Sequence, residues 1–206
     1  MNFDLFYASK TNYFTQSHSG GLANFLSEKN IEPCKAVDIG AGEGRNSLYL
    51  ANLGYDVIAI EPSKIGAQKI LDASEVYNLD VSIINTDFLT ASEGLYRIGL
   101  VIAITSLDHM EYSYLCKSII KIKQMLCIGG YVYITVFTEE DPGYMGVQKD
   151  IESECSTFIK HYFHRDELKK FFSDFEILEY SEYVKEDSSH GDLHVHGMAK
   201  LVAKKL

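Results

Sequence analysis

The sequence predicts an α/β fold: a three-layer sandwich on a seven-stranded mixed sheet with an antiparallel hairpin at its C-terminal edge. Three observations carry that prediction. Short apolar runs alternate with helical stretches through the first two thirds of the chain, the pattern of a parallel sheet wrapped by helices on both faces. Those runs lack alternating polarity, as strands covered on both faces do. The last two strand-like runs have nothing helix-long between them, so they pair as antiparallel neighbours.

In order, strands are predicted over residues 36–39, 55–60, 81–84, 98–105 and 131–137. Residues 111–127 read as a helix because Leu115, Ile119, Ile122 and Leu126 fall on one face. Gly129 and Gly130 should stop it, as glycine past a helix C-terminus does. A short helix over 165–172 precedes strands over 175–183 and 193–204. Residues 138–165 carry a stretch that fits neither period and read as an insertion or acceptor-side lid. Residues 1–30 precede the first strand and read as a cap. The length suits one domain over residues 1–206.

Composition narrows the function classes. The formal net charge is -10, from 29 acids against 19 lysines and arginines, which repels nucleic acid rather than gathering its counterions. The three arginines, Arg45, Arg97 and Arg165, are scattered, so no phosphate-clamping surface is expected. Cys34, Cys116, Cys127 and Cys155 show no CxxC spacing and read as reduced thiols of a cytoplasmic protein. No signal peptide or membrane span is expected. A monomer or homodimer is anticipated.

The stretch VDIGAGEGRNSLYLANLGYDVIAIEPS, residues 37–63, points to a ligand. A strand runs into Gly40, Gly42 and Gly44, and a helix follows, so backbone N–H groups and a helix N-terminus face what lies there. The dinucleotide fingerprint GxGxxG is not met. Glu61 stands about twenty residues on, at the end of the second strand, where a carboxylate can accept both hydroxyls of a ribose. A nucleoside with a small zwitterionic tail suits this pattern better than a pyrophosphate.

Residues 37–44, VDIGAGEG, resemble the first motif of the class I S-adenosylmethionine-dependent methyltransferases, a Rossmann-like family. Glu61, followed by Pro62, is similar to its acidic second motif. Asp87 and Phe88 in VSIINTDFLT are similar to the third, and Thr105 and Ser106 to the segment after the fourth strand. GRNSLYLANLGYDV and KHYFHRDELKKFFSDFEILEYSEYV resemble the tellurite-resistance methyltransferase branch of that family. The resemblance implies S-adenosylmethionine as cofactor and S-adenosylhomocysteine as product. Asp38, Gly40, Ala41, Gly42, Arg45, Asn46, Glu61, Pro62, Asp87, Phe88 and Thr105 would line its site. Asp87 would meet the adenine amino group, with Phe88 beside the ring. Tyr13 would belong to a lid over it, where an aromatic face attracts a sulfonium.

Several of these residues keep an ordinary structural reading: Asp38 as a strand-end cap, Asp87 as an N-cap, and Arg45 and Asn46 as helix packing. Acceptor-side catalytic candidates are His109, His164 and Arg165, each equally suited to a helix cap or a solvated helix start. His190, His194 and His196 in HGDLHVHG, with Asp192, imitate a metal site. No Cys or further His has matching spacing, so no metal is expected. A polar strand face or a wall of the acceptor pocket accounts for them.

Transfer of a sulfonium methyl is an in-line displacement that mainly needs alignment and exclusion of water. The expected activity is therefore methyl transfer to a small molecule or small anion. A cofactor-binding sensor or partner subunit without turnover, and an NAD(P)-binding oxidoreductase, are the alternatives.

Overall fold

A computed structural model describes residues 3–9, 18–144, 158–187 and 193–206. Two compact units make up the chain, one running to Ile102 and one from Ala103. The first holds α1 (Phe3–Ser9), α2 (Gly20–Glu28), β1 (Lys35–Ile39), α3 (Arg45–Asn52), β2 (Asp56–Ile60), α4 (Lys64–Tyr77), β3 (Val81–Ile84), α5 (Phe88–Ala91) and most of β4 (Ile98–Ile104). The second holds a 3-10 turn (Leu107–His109), α6 (Tyr112–Met125), β5 (Leu126–Phe137), α7 (Glu167–Phe171), β6 (Glu176–Asp187) and β7 (His194–Lys204).

The strands follow the order β3-β2-β1-β4-β5-β7-β6 in one seven-stranded sheet. β1 pairs in parallel with β2 and β4, and β2 with β3. β7 runs antiparallel between β5 and β6, so the mixed sheet and its edge hairpin are as the sequence predicts. The apolar runs owe their lack of alternation to burial on both faces. Ala36, Val37, Ile39, Val57, Ala59 and Ile60 in β1 and β2 are all buried, as are Leu100, Val101 and Ile102 in β4.

One boundary differs from expectation. α6 ends at Met125, and Leu126 is already extended, with φ -66° and ψ 137°. Glycine does not stop this helix; a side chain from the far end of the chain caps it. The Lys205 ammonium donates to the carbonyls of Lys123 (2.7 Å) and Leu126 (2.8 Å), which places a positive charge on the negative end of the helix. Gly129, at φ 79°, sits inside β5 instead. Its N–H donates to Lys205 O, and Lys205 N–H returns a bond to Gly130 O. The hairpin is also longer than predicted, with β6 running on to Asp187 opposite His194.

Both described ends of the 138–165 stretch are tied down. Thr138 bridges Phe163, and Phe163 N–H donates to Phe137 O. The amides of Lys160 and His161 both donate to Asp108 O. Residues 145–157 lie outside the described set.

Replacing Lys205 by alanine tests the distant cap. Losing two charge-assisted bonds should cost about 1–3 kcal/mol, a fall in Tm of roughly 2–10 °C for a chain of this length. K205R should recover most of it in a thermal melt.

Candidate active site

The carboxyl ends of β1 and β2 carry the glycine turn. Gly40 (φ 68°), Gly42 (φ 61°) and Gly44 (φ 87°) all occupy the left-handed region, which side chains penalise. The N–H groups of Gly40 and Ala41 both donate to Ile60 O, at 2.8 and 3.1 Å. At Gly44 a β-carbon would lie 2.9 Å from Ile70 Cγ1. The turn is therefore tight for two reasons, backbone conformation and packing on α4.

Glu61 closes the turn. Its Oε2 accepts from Gly42 N–H and its Oε1 from Ser63 N–H, each at 2.7 Å. The Asn85 side chain donates to Glu61 O (2.8 Å) and Pro62 O (3.2 Å), joining the ends of β2 and β3. Glu61 is buried, and burial pushes its pKa up to about 7 against the pull of the two N–H groups. A carboxylate offers about four lone-pair positions, so two N–H donors leave capacity for two hydroxyls.

Asp38, inside β1, is also buried. It accepts from Ser47 Oγ at 2.6 Å. Burial raises its pKa to about 6, while the Ser47 hydroxyl and the Arg45 charge pull it down. Asn46 spends its Oδ1 on Ser19 N–H (2.9 Å), tying α2 to the first turn of α3. Asp87 caps α5, its Oδ1 accepting from Thr90 N–H and its Oδ2 from Thr90 Oγ1. Asp87 is exposed and Phe88 is buried. The N-cap reading of Asp87 describes its geometry.

Tyr13 lies outside the described residues. A different tyrosine reaches the turn: a β-carbon at Gly42 would sit 3.0 Å from the Tyr7 hydroxyl of α1. Asp4 seats that helix, accepting from Ser63 Oγ (2.6 Å) and Ile65 N–H (3.2 Å) at the start of α4. Sequence reading passed over Asp4, Tyr7 and Asn85, because nothing local ties α1 to a loop more than thirty positions away.

In the second unit, Thr105 holds φ 49°, a rare conformation for a β-branched residue. Thr105 N–H donates to Thr135 O. Buried beside it in sequence are Ser106 and Asp108. Asp108 Oδ2 accepts from Phe137 N–H at 3.0 Å, and burial raises its pKa. His109 is half-buried in the 3-10 turn. His164 pairs with Glu139 at 2.7 Å, which raises its pKa, and Arg165 is exposed. His194 and His196 are buried together with Asp141; His190 and Asp192 lie outside the described residues.

The raised pKa of Glu61 has a defined sign. Its stabilising contribution is complete below its ordinary value of 4.5 and is lost as pH rises through about 7. Unliganded protein should lose on the order of 3 kcal/mol across that window from this group. E61Q should flatten the window in melts run from about pH 4.5 to 8.

With this geometry in place, comparison with known proteins is direct. The sequence model of the family described as "Tellurite resistance protein TehB" matches residues 3–195. A Haemophilus influenzae relative named "Probable S-adenosyl-L-methionine-dependent methyltransferase TehB" is 29% identical over 196 residues, covering 92% of this chain and 61% of that protein. The chain thus spans about three fifths of that relative's length. The crystal structure of TehB from Haemophilus influenzae superposes with a TM-score of 0.78 at 25% identity, covering 100% of this chain and 68% of that one. Magnesium protoporphyrin IX methyltransferase from Synechocystis PCC 6803, solved with bound SAH, shares the fold at TM-score 0.67 and 15% identity over 90% of this chain and 81% of its own. The chain belongs to the TehB family of tellurite resistance proteins.

Proposed function

We propose that this chain is an S-adenosylmethionine-dependent methyltransferase that moves a methyl group to a small-molecule or small-anion acceptor by in-line displacement. The observation that carries the reading is the buried Glu61 carboxylate locked to Gly42 N–H at the end of β2. An acid there accepts ribose hydroxyls while the loop it holds lets a ligand approach the backbone. Family membership and the name of the Haemophilus influenzae relative support the same cofactor.

The roles divide along the strands. Gly40, Ala41 and Gly42 meet the amino-acid tail, with Asp38, Arg45 and Asn46 setting the charge and packing beneath. Glu61 and Pro62 hold the ribose side, and Asp87 and Phe88 the adenine. Thr105 borders the methionine end. His109, His164 and Arg165 serve the acceptor side. The sulfonium is already activated, so the protein aligns the nucleophile with the S–CH3 bond and keeps water out. As the acceptor's electron pair forms the new bond to carbon, the old pair stays on sulfur, leaving S-adenosylhomocysteine.

The remaining expectations belong to the same reading: one methyltransferase domain, acting in the cytoplasm as a monomer or homodimer, without nucleic acid as substrate. The charge of -10 supports the last point. Among the described residues no helix is long and apolar enough to cross a membrane, and no disulfide joins the described cysteines.

A thermal melt with S-adenosylhomocysteine, S-adenosylmethionine, NAD and NADP tests the cofactor. At about a hundred times its dissociation constant a ligand adds roughly 2.7 kcal/mol, here a shift of about 5–10 °C. The two adenosyl-sulfur ligands should give that shift and the dinucleotides none. G42V, which fills the space under Tyr7, and E61A should abolish it. A dinucleotide shift overturns the reading. Cofactor binding without turnover of tellurite, selenite or small thiols makes the chain a sensor instead.

Because ribose hydroxyls donate to an ionised Glu61, affinity for S-adenosylhomocysteine should weaken as pH falls through about 7. Calorimetric titration at about pH 5.5 and 8 measures it.

A further inference from the structure

Two hydrogen-bonded arrangements stand outside the roles above. In the second unit, the 138–144 segment crosses β7 at Gly197, where a β-carbon would lie 2.3 Å from Asp141 N and from Glu140 C. Asp141 Oδ2 accepts there from Gly197 N–H at 3.2 Å and lies 3.0 Å from His196 Nδ1. Those contacts tie a stretch of chain to a strand. The other arrangement is wholly within the first unit, and it ends on the acid that carries the cofactor reading.

It begins at Asp4 of α1. Asp4 Oδ1 accepts from Ser63 Oγ at 2.6 Å and from Ile65 N–H at 3.2 Å. A hydroxyl has one proton to give, and that of Ser63 goes to Asp4. A lone pair of Ser63 Oγ then faces Gly66 N–H, which donates to it at 3.1 Å and makes Ser63 the N-cap of α4. Ser63 N–H donates in turn to Glu61 Oε1 at 2.7 Å. One residue therefore carries the position of Asp4 across to Glu61, by two bonds that both start from Ser63.

The same helix reaches the donor on the other oxygen of that acid. Glu61 Oε2 accepts from Gly42 N–H at 2.7 Å. Tyr7, one turn of α1 beyond Asp4, sets its hydroxyl 3.0 Å from where a β-carbon would lie at Gly42. The Lys69 ammonium, paired with Glu43 of the glycine turn, lies 5.9 Å from the Tyr7 ring centroid. α1 thus rests on both donors that hold Glu61, Ser63 on one side and Gly42 on the other. Burial of Phe6 and Tyr7 already holds the helix down; the Asp4 bonds add direction, fixing which way Ser63 points. Charge works against this pairing. The Ser63 hydroxyl first, and then the Ile65 N–H, keep the Asp4 carboxyl below its ordinary value. Its charge joins burial and Asp38 in raising Glu61. What Asp4 gives Glu61 is therefore position rather than charge.

We propose that Asp4 is a positioning residue for cofactor recognition: through Ser63 it fixes the plane in which the Glu61 carboxylate meets the ribose hydroxyls. The inference rests on the cofactor reading above. Of the roughly four lone-pair positions of Glu61, Gly42 and Ser63 take two. The other two reach a neighbouring pair of hydroxyls together only while the carboxylate plane is set. With Ser63 released, the plane turns and one hydroxyl loses its acceptor. α1 therefore governs the preference for a ligand with both ribose hydroxyls over one that lacks the 2′-hydroxyl.

Calorimetric titration with S-adenosylhomocysteine and its 2′-deoxy analogue tests this. A bond to an ionised acceptor is worth about tenfold or more, so the wild type should favour the ribose ligand by about that factor. D4A should cut the preference to about threefold or less. D4N keeps an oxygen where Asp4 Oδ1 stands but no charge, and should hold the wild-type preference within about threefold. A wild type without the preference, or equal weakening of both ligands by D4A, overturns the proposal. So does a loss in D4N as large as in D4A, because charge would then be the cause. Amide hydrogen exchange, recorded without ligand, gives a second readout. D4A should speed exchange at Ile65 and also at Gly42 and Ser63, by about tenfold or more, while Gly40, bonded to Ile60 O, stays unchanged. Faster exchange at Ile65 alone overturns the coupling to Glu61. A wild type that binds neither ligand would overturn the cofactor reading instead, and the exchange pattern keeps the two failures apart.

Discussion

Glu61 receives an N–H from each of two directions, Gly42 in the turn after β1 and Ser63 at the entry to α4. Each bond to an ionised acceptor is worth about 1.5–3 kcal/mol, yet burial costs the carboxylate enough to lift its pKa to about 7. The loop, the helix start and α1 are all arranged around this half-compensated charge. Gly66 has no side chain because a β-carbon there would lie 2.9 Å from Gly42 O and 3.0 Å from Glu61 Cγ. Ser63 caps α4 through Gly66 N–H while giving its own N–H to Glu61 and its hydroxyl to Asp4. Removing the acid would therefore loosen contacts that come from three separate segments.

The second unit uses buried acids differently. Asp108 holds Phe137 N–H with one oxygen, and its backbone carbonyl anchors the return of the 138–165 stretch at Lys160 and His161. Asp141 anchors the departure of that stretch at Gly197. Two aspartates thus hold the described ends of one stretch, Asp108 through its backbone carbonyl and Asp141 through its carboxylate. A charge buried without partners would cost several kcal/mol, and the backbone N–H groups of Phe137 and Gly197 offset part of that cost here.

Much of the fold was legible in the sequence because its signals are local. Residues 36–39 and 55–60 read as strands from unbroken apolar runs, and burial on both faces explains those runs. The glycine turn was legible because three left-handed positions leave little choice of residue. What could not be read depends on partners far apart in the chain. Gly129 and Gly130 suggested a helix stop, whereas Lys205 caps α6 from about eighty positions away. Tyr13 lies outside the described residues, and no local pattern marks Tyr7 as the side chain that meets Gly42. His194 and His196 were visible as a pair on one strand face. Their carboxylate partner is separated from His196 by 55 positions, and no spacing rule reaches that far.

The crossing at Gly197 has a consequence for protein engineering. The 138–144 segment and its landing point on β7 are far apart in sequence, but they fit together only while position 197 lacks a β-carbon. Loop and strand are thus one interchangeable part in two pieces. Grafting the loop onto a related scaffold would succeed only if the glycine and the flanking histidine travelled with it. Shuffling that cut the chain between them would assemble a sheet with no room for its own insertion.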